Sequence, residues 1–358
     1  MLVREFEVHD FGPIREGRVE IGDLTLLIGP QNSGKTYLSM LLYALAELGA
    51  RIFDLIIDET VDFLHDCGIR GHIGYETIRD IISQHQDEIK RRMIRVIKRT
   101  AQRFMTSELR ASFLIHDLDI LVRKGSEKAR VLCSYKLGEH VLRISMNIGR
   151  ELVVKDVVIN EGMLPDFVSL LRLSADIRER GPASLSFVKP SVGALYVPTD
   201  RFVILSSLSS YISLLLDIHR HIFERATIAE ALRQAGFGVR KPLLDYIRIV
   251  DTAIKESAFL TRARLSGSVL GTGNFLVEEG RIWYEDPHGV KIPVELASSG
   301  VAQLIGILLP VSAVFSPYLS PILLYHRCSM VIVEEPEVNL HADLHIEVAR
   351  FLPIYRVA

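Results

Sequence analysis

GPQNSGKT, residues 29–36, is followed at once by YLSMLLYALAELGA, residues 37–50, and this junction decides the fold. The octet satisfies G-x-x-x-x-G-K-[ST]. Glycines there let backbone N–H groups curl around a phosphate, Lys35 brings a cation to the β and γ phosphates, and the Thr36 hydroxyl is a ligand for Mg²⁺. A helix starting at Lys35 adds the positive end of its dipole. Gly29, Pro30, Gln31, Asn32, Ser33, Gly34, Lys35, Thr36 and the adjoining Tyr37 are therefore the candidate nucleotide-binding residues. A chance match in a chain of this length is roughly a one-in-a-hundred event. Upstream, LVREFEVHDFGPI and REGRVEIGDLTLLIG alternate and then run apolar, which predicts two or three short strands with turns at Gly12-Pro13 and Gly22-Asp23. The last strand is expected to deliver the chain into the loop. Residues 37–50 predict a buried helix of about four turns, ~21 Å long.

A phosphate loop needs a carboxylate at the end of a neighbouring buried strand. VIVEEPEVNLH, residues 331–341, fits that requirement: an apolar strand runs into Glu334, the candidate metal ligand, and Glu335, the candidate general base for the attacking water. Two acids alone would read as an exposed turn. Their pairing with the loop favours the catalytic assignment.

Composition bounds the rest. The chain has 358 residues, 48% of them hydrophobic, enough for a large core in one elaborated domain or two intimate ones. A formal charge of −2 gives no global basic field, so any nucleic-acid contact must come from a local patch. Cys67, Cys133 and Cys328 lie far apart without CxxC spacing, and the N-terminus lacks the apolar core of a signal peptide. A cytoplasmic protein is the expectation. Residues 296–325 carry no charge, but Pro310, Pro317 and Pro321 break the run and Ser298, Ser299 and Gly300 open it. That pattern predicts a buried helix, a bent connection and a core strand rather than a membrane span.

Between these ends, residues 51–118 show helical periodicity with many charges. In IKRRMIRVIKR, Ile89, Met93, Val96 and Ile97 share one face, and Lys90, Arg91, Arg92, Arg95, Lys98 and Arg99 cover the others. ARVLCSYKL, HVLRISMNI and ELVVKDVVI predict an antiparallel meander, with turns at Gly138-Glu139 and Gly149-Arg150. ALYVPTDRFVI is a strand candidate ending at a proline. Residues 205–264 read as helical again, with Gly236, Gly238 and Pro242 as punctuation, and residues 274–296 as a hairpin pair turning at Gly280 and Pro287-His288-Gly289.

GPQNSGKT, LASSGVAQL (296–304) and VIVEEPEVNLH resemble the Walker A, signature and Walker B/D-loop elements of ABC-type ATPases. Within that class the likeness is to the branch of RecF, the structural-maintenance-of-chromosomes proteins and the overcoming-lysogenization-defect (OLD) ATPases. VREFEVHDFGPIREGRVEIGDLTLLIGP at 3–30, YVPTDR at 196–201, SSG at 298–300 and EEPEVNLH at 334–341 resemble more narrowly the OLD-like group. The resemblance implies an α/β fold of the P-loop NTPase, ABC-ATPase type: a mixed central sheet carrying both Walker elements, an antiparallel β meander and helical insertions. The implied segments are 1–50 (core with Walker A), 51–125 (helical insertion), 126–204 (meander and core strands), 205–265 (second insertion) and 266–358 (signature, Walker B and D-loop). It also implies Mg-ATP, closed between two copies of the chain. Ser298, Ser299 and Gly300 of one copy would meet the nucleotide of the other, and His341 would stand at the crossing. The same serines read locally as a helix N-cap, and both roles are compatible.

The family carries Asn where Gln31 stands, a mild change of loop shape. It also has a further strand ending in a γ-phosphate-sensing histidine, and only PIYRVA follows the helix that residues 342–352 can supply. Two functions follow. One is an ATPase driving a DNA or protein partner; the other is a nucleotide-responsive binding module with little turnover. The basic stretch 90–99 reads either as a nucleic-acid contact or as a solvated helix face. Arg201 serves the nucleotide or pairs with an acid such as Asp200, and Gln84, Gln86 and Gln102 are equal candidates for a glutamine facing the γ-phosphate. No HExxH or NKxD motif occurs. That disfavours a transition-metal site and favours ATP over GTP.

Overall fold

A computed structural model of the chain describes residues 2–68, 75–137, 140–160, 193–206, 239–257, 264–265, 273–278, 281–315, 328 and 330–351. Cα packing separates two compact units, residues 1–110 with 117–193, and residues 111–116 with 194–358.

The first unit is built on a five-stranded antiparallel sheet in the order β2-β1-β3-β4-β5. The strands are β1 (Leu2–Phe11), β2 (Ile14–Glu20), β3 (Ala129–Leu137), β4 (His140–Ile148) and β5 (Leu152–Ile159). Alternation sends one face of each strand inward. In β1 the buried set changes parity, from Val3 to Phe6 and Val8 and then to Phe11. A register shift between Val3 and Glu5 makes the first change, and Asp10, in left-handed backbone at φ +54°, makes the second. The inner face packs with helix α1 (Lys35–Asp66), and the Tyr135 hydroxyl donates to the Leu45 carbonyl at 2.9 Å. Helices α2 (Tyr75–Gln84) and α3 (Gln86–Phe113) follow. Ile89, Met93 and Ile97 are buried on α3, as the heptad-like spacing predicts, and Val96 is half-buried.

Two expectations fail here. α1 runs on to Asp66 rather than ending at Ala50: Gly49, the poorest helix former in its middle, costs about 1 kcal/mol and does not stop a helix. The strand expected to enter the phosphate loop is absent as well. The Ile21 N–H still donates to the Arg4 carbonyl of β1 at 2.8 Å, but residues 22–28 pair with no described strand, and Leu24, Leu26 and Ile28 are 52%, 69% and 89% exposed. Among the described residues there is accordingly no mixed central sheet carrying both Walker elements.

The second unit holds a parallel pair, β6 (Leu195–Val197) with β11 (Val331–Val333), in register Val331↔Leu195 to Val333↔Val197. A four-stranded antiparallel sheet, β10-β9-β8-β7, comprises β7 (Arg264–Leu265), β8 (Asn274–Glu278), β9 (Arg281–Glu285) and β10 (Lys291–Pro293). Helices α4 (Arg201–Ser206), α5 (Lys241–Ser257), α6 (Ser299–Phe315) and α7 (Ala342–Phe351) complete it. α6 is the predicted uncharged helix, buried along its length in one core with α5 and β6. Pro310 lies inside it and has no N–H for the Gly306 carbonyl four residues back; the Tyr246 hydroxyl donates to that carbonyl instead, at 2.9 Å. No helix among the described residues is long and apolar enough to cross a membrane. The turns at Gly138-Glu139 and Gly280, residues 207–238 of the second helical stretch, and the connection through Pro317 and Pro321 lie outside the described residues.

Candidate functional site

The phosphate loop belongs to the first unit. Asn32 and Gly34 hold left-handed backbone, φ +61° and +96°, and these bends fold the loop back on itself. Gly34 is buried against the tip of the β1–β2 hairpin. A Cβ there would stand 2.8 Å from Ile14 Cγ1 and 3.0 Å from Pro13 Cγ. At the same tip Gly12, φ +51°, leaves room for the Tyr37 ring, which Phe11 meets edge-on at 6.1 Å between centroids. The hairpin thus fixes where α1 starts, and the Tyr37 ring is spent on that packing.

No side chain caps α1 and no acid stands in its first turn. The Leu38 N–H donates to Gly34 at 3.0 Å, so the N–H groups before it have no intrahelical acceptor. The Lys35 ammonium donates to the Gly29 and Pro30 carbonyls at 2.7 and 2.8 Å, which draws it across the loop. Thr36 is exposed. A cation held only by carbonyls, an uncapped helix start and an exposed hydroxyl make a donor set suited to a phosphate chain and its metal.

The paired acids belong to the second unit. The Glu334 N–H continues the parallel ladder by donating to Val197 at 2.9 Å; the chain then turns, with Glu335 in left-handed backbone at φ +42°. Arg201, 0% exposed, donates to the carbonyls of Glu334 (2.9 Å), Glu335 (3.0 Å) and Pro336 (3.5 Å) in that turn. It also donates to Pro198 (3.0 Å) and to Gln303 on α6 (3.3 Å). Burial lowers its pKa, and the acids of the 334–337 turn oppose that shift. Neither role weighed for Arg201 describes these bonds: its hydrogen-bond partners are backbone, and it forms no ion pair with Asp200.

Residues 298–300 open α6, and Gly300 approaches the chain that leaves the turn. The Ser298 hydroxyl accepts from the Val301 N–H at 3.4 Å, the expected N-cap of α6. A Cβ on Gly300 would lie 2.9 Å from the Asn339 carbonyl, so a glycine is needed for this close approach. Ser298, Ser299 and His341 are exposed, and the His341 carbonyl accepts from Leu344 at the start of α7. The second unit therefore ties the 334–336 turn to α6 through one buried arginine, and brings Gly300 at the start of that helix against the Asn339 carbonyl. Tyr246 and Asn339 escaped the sequence reading, and only the Pro310 that Tyr246 serves was a signal.

On α3, away from its buried face, Arg95, Lys98, Arg99, Gln102 and Arg103 line a cleft of about 370 Å³. The four cations are exposed and none forms an ion pair with a described carboxylate; Lys98 donates to the Lys155 carbonyl at 3.1 Å. No group of three or more His, Cys, Asp or Glu side chains suited to a metal occurs among the described residues.

No family model matches the chain, and neither does any curated protein. Among solved structures it is similar to the SMC head domain from Thermotoga maritima. The identity is 10% and the TM-score 0.40, over 99% of this chain and 87% of that one.

Proposed function

We propose that the chain binds Mg-ATP through residues 29–37 and hydrolyses it in pairs of copies to drive a partner. Glu334 and Thr36 would serve as oxygen donors to the metal, and Glu335 as the base that takes the water proton. Mg²⁺, when bound, neutralises charge on the phosphates. Lys35 orients the β and γ phosphates, and the uncapped start of α1 supplies N–H donors. Ser298, Ser299 and Gly300, with a further helix start, would approach the nucleotide of a second copy, with His341 at the crossing. The observation that carries this reading is the Lys35 ammonium, satisfied by the Gly29 and Pro30 carbonyls and ready to exchange them for phosphate oxygens.

Calorimetric titration with ATP and Mg²⁺ tests it. Lys35→Ala is expected to weaken binding by about 10- to 10²-fold, the loss of a charge-assisted contact. Equal affinity in wild type and variant would overturn the assignment. Phosphate release by the wild type at the level of Lys35→Ala would mark a nucleotide-responsive module rather than an ATPase.

The α3 cleft favours DNA as the partner, since four cations along a helix, none of them ion-paired with a described carboxylate, match closely spaced phosphates. No aromatic side chain lines it, so it would follow backbone rather than stack bases. Reversing Arg99 and Arg103 to Glu should weaken binding of a short DNA duplex and reduce the salt slope by about two units. An unchanged slope would leave a protein partner as the reading.

A further inference from the structure

We infer that Arg201 is a positioning residue: one buried guanidinium locks the Glu334–Glu335 turn to helix α6, which carries Ser298–Gly300 at its start, so that acids and signature keep a fixed register. The inference rests on the reading of Glu334 and Glu335 proposed above, and its test separates the two.

The stoichiometry is complete. A guanidinium carries five N–H donors in a planar fork. Arg201 spends them on five backbone carbonyls, from Pro198 after β6, Gln303 on α6, and Glu334, Glu335 and Pro336 in the turn. Because only the backbone of the two glutamates is used, the turn is held without neutralising either carboxylate. Two further observations point the same way. Glu335 sits in left-handed backbone, which a non-glycine residue keeps only where its surroundings enforce it, and three of the five bonds go to residues 334–336. On the helix side, Gly306 has no side chain where a Cβ would lie 3.1 Å from Arg201 Cβ and Cγ, so the arginine stem crosses α6 where any larger residue would displace it. The Tyr246 hydroxyl holds the same Gly306 carbonyl and fixes that crossing.

Lysine cannot replace this fork. Its three donors radiate from a single nitrogen and cannot reach acceptors on three separate segments. Arg201→Lys, with Gly306→Ala as companion, is the test, in the full chain. Gly306→Ala keeps every donor and displaces the stem by a few tenths of an ångström, so it speaks to the lock even where the lysine variant fails to fold. In both, kcat for phosphate release is expected to fall, by about tenfold or more in Arg201→Lys, with KM for ATP and Mg²⁺-free ATP affinity unchanged. Hydrogen exchange is expected to rise by a similar factor in segments 331–341 and 299–306 together, and to stay at the wild-type level in α1 and β3. Folded variants with wild-type kcat and wild-type exchange in both segments overturn the lock. Exchange that rises in the 331–341 segment alone overturns it too, since the helix would then be held by something else. A wild type without turnover sinks the assignment of the glutamates, and the paired rise in exchange then decides the lock by itself.

Discussion

Glu335→Gln is expected to slow phosphate release by about 10²- to 10⁴-fold, the usual contribution of a general base, while ATP binding is retained. The amide has the shape of the carboxylate but cannot accept the water proton. The change is otherwise silent: Arg201 bonds the Glu335 carbonyl, not its side chain, and glutamine meets the same backbone requirement at φ +42° as glutamate. With hydrolysis blocked, the ATP-bound state should accumulate, and that state is the one proposed to join two copies. Size-exclusion chromatography of Glu335→Gln with ATP and Mg²⁺ should show a dimer, and Lys35→Ala under the same conditions a monomer. A Glu335→Gln variant that stays monomeric, or one that turns over ATP at the wild-type rate, removes respectively the paired assembly or the base assignment.

What could be read in advance was what neighbours in sequence decide. The meander of β3, β4 and β5, the buried stripe Ile89, Met93 and Ile97, and the Ser298 cap each depend on residues within a few positions of one another. Leu24, Leu26 and Ile28 show the limit. They repeat at the two-residue period of a strand, yet a strand exists only as half of a ladder, and no partner lies beside them among the described residues. The end of α1 shows the opposite limit: charges become frequent after residue 51, but nothing in the backbone chemistry of residues 50–66 interrupts the helix. Arg201 was visible as a charge that needed a partner. Nucleotide, Asp200 or another acid are equal readings of it, and Asp200 drops out because adjacent side chains of a helix start do not face one another. The actual acceptors are main-chain oxygens more than a hundred residues away, and a carbonyl is present at every position of any sequence, so no letter marks those that an arginine will find.

Gly34→Ala should abolish tight ATP binding and destabilise the first unit at the same time. Two independent costs meet at this position. Left-handed backbone at φ +96° costs a non-glycine residue of order 1–3 kcal/mol. The new methyl would also stand 2.8 Å from Ile14 Cγ1, a contact real Cβ atoms do not make, so either the hairpin tip or the loop must move. A loop displaced at Gly34 moves the start of α1 and the Lys35 ammonium with it, and the donors lose the curvature that wraps a phosphate. Gly29→Ala is the natural comparison. Its Cβ would meet only the Ser33 hydroxyl, at 3.0 Å, and its φ lies outside the left-handed range, so a rotation of Ser33 accommodates it. Titration of both variants with ATP, alongside urea unfolding, should give a loss of at least about 10²-fold in affinity for Gly34→Ala and a much smaller one for Gly29→Ala. If Gly34→Ala lowers the unfolding midpoint but its folded fraction still binds ATP as the wild type does, residues 29–36 are a structural turn on the hairpin and the nucleotide is held elsewhere.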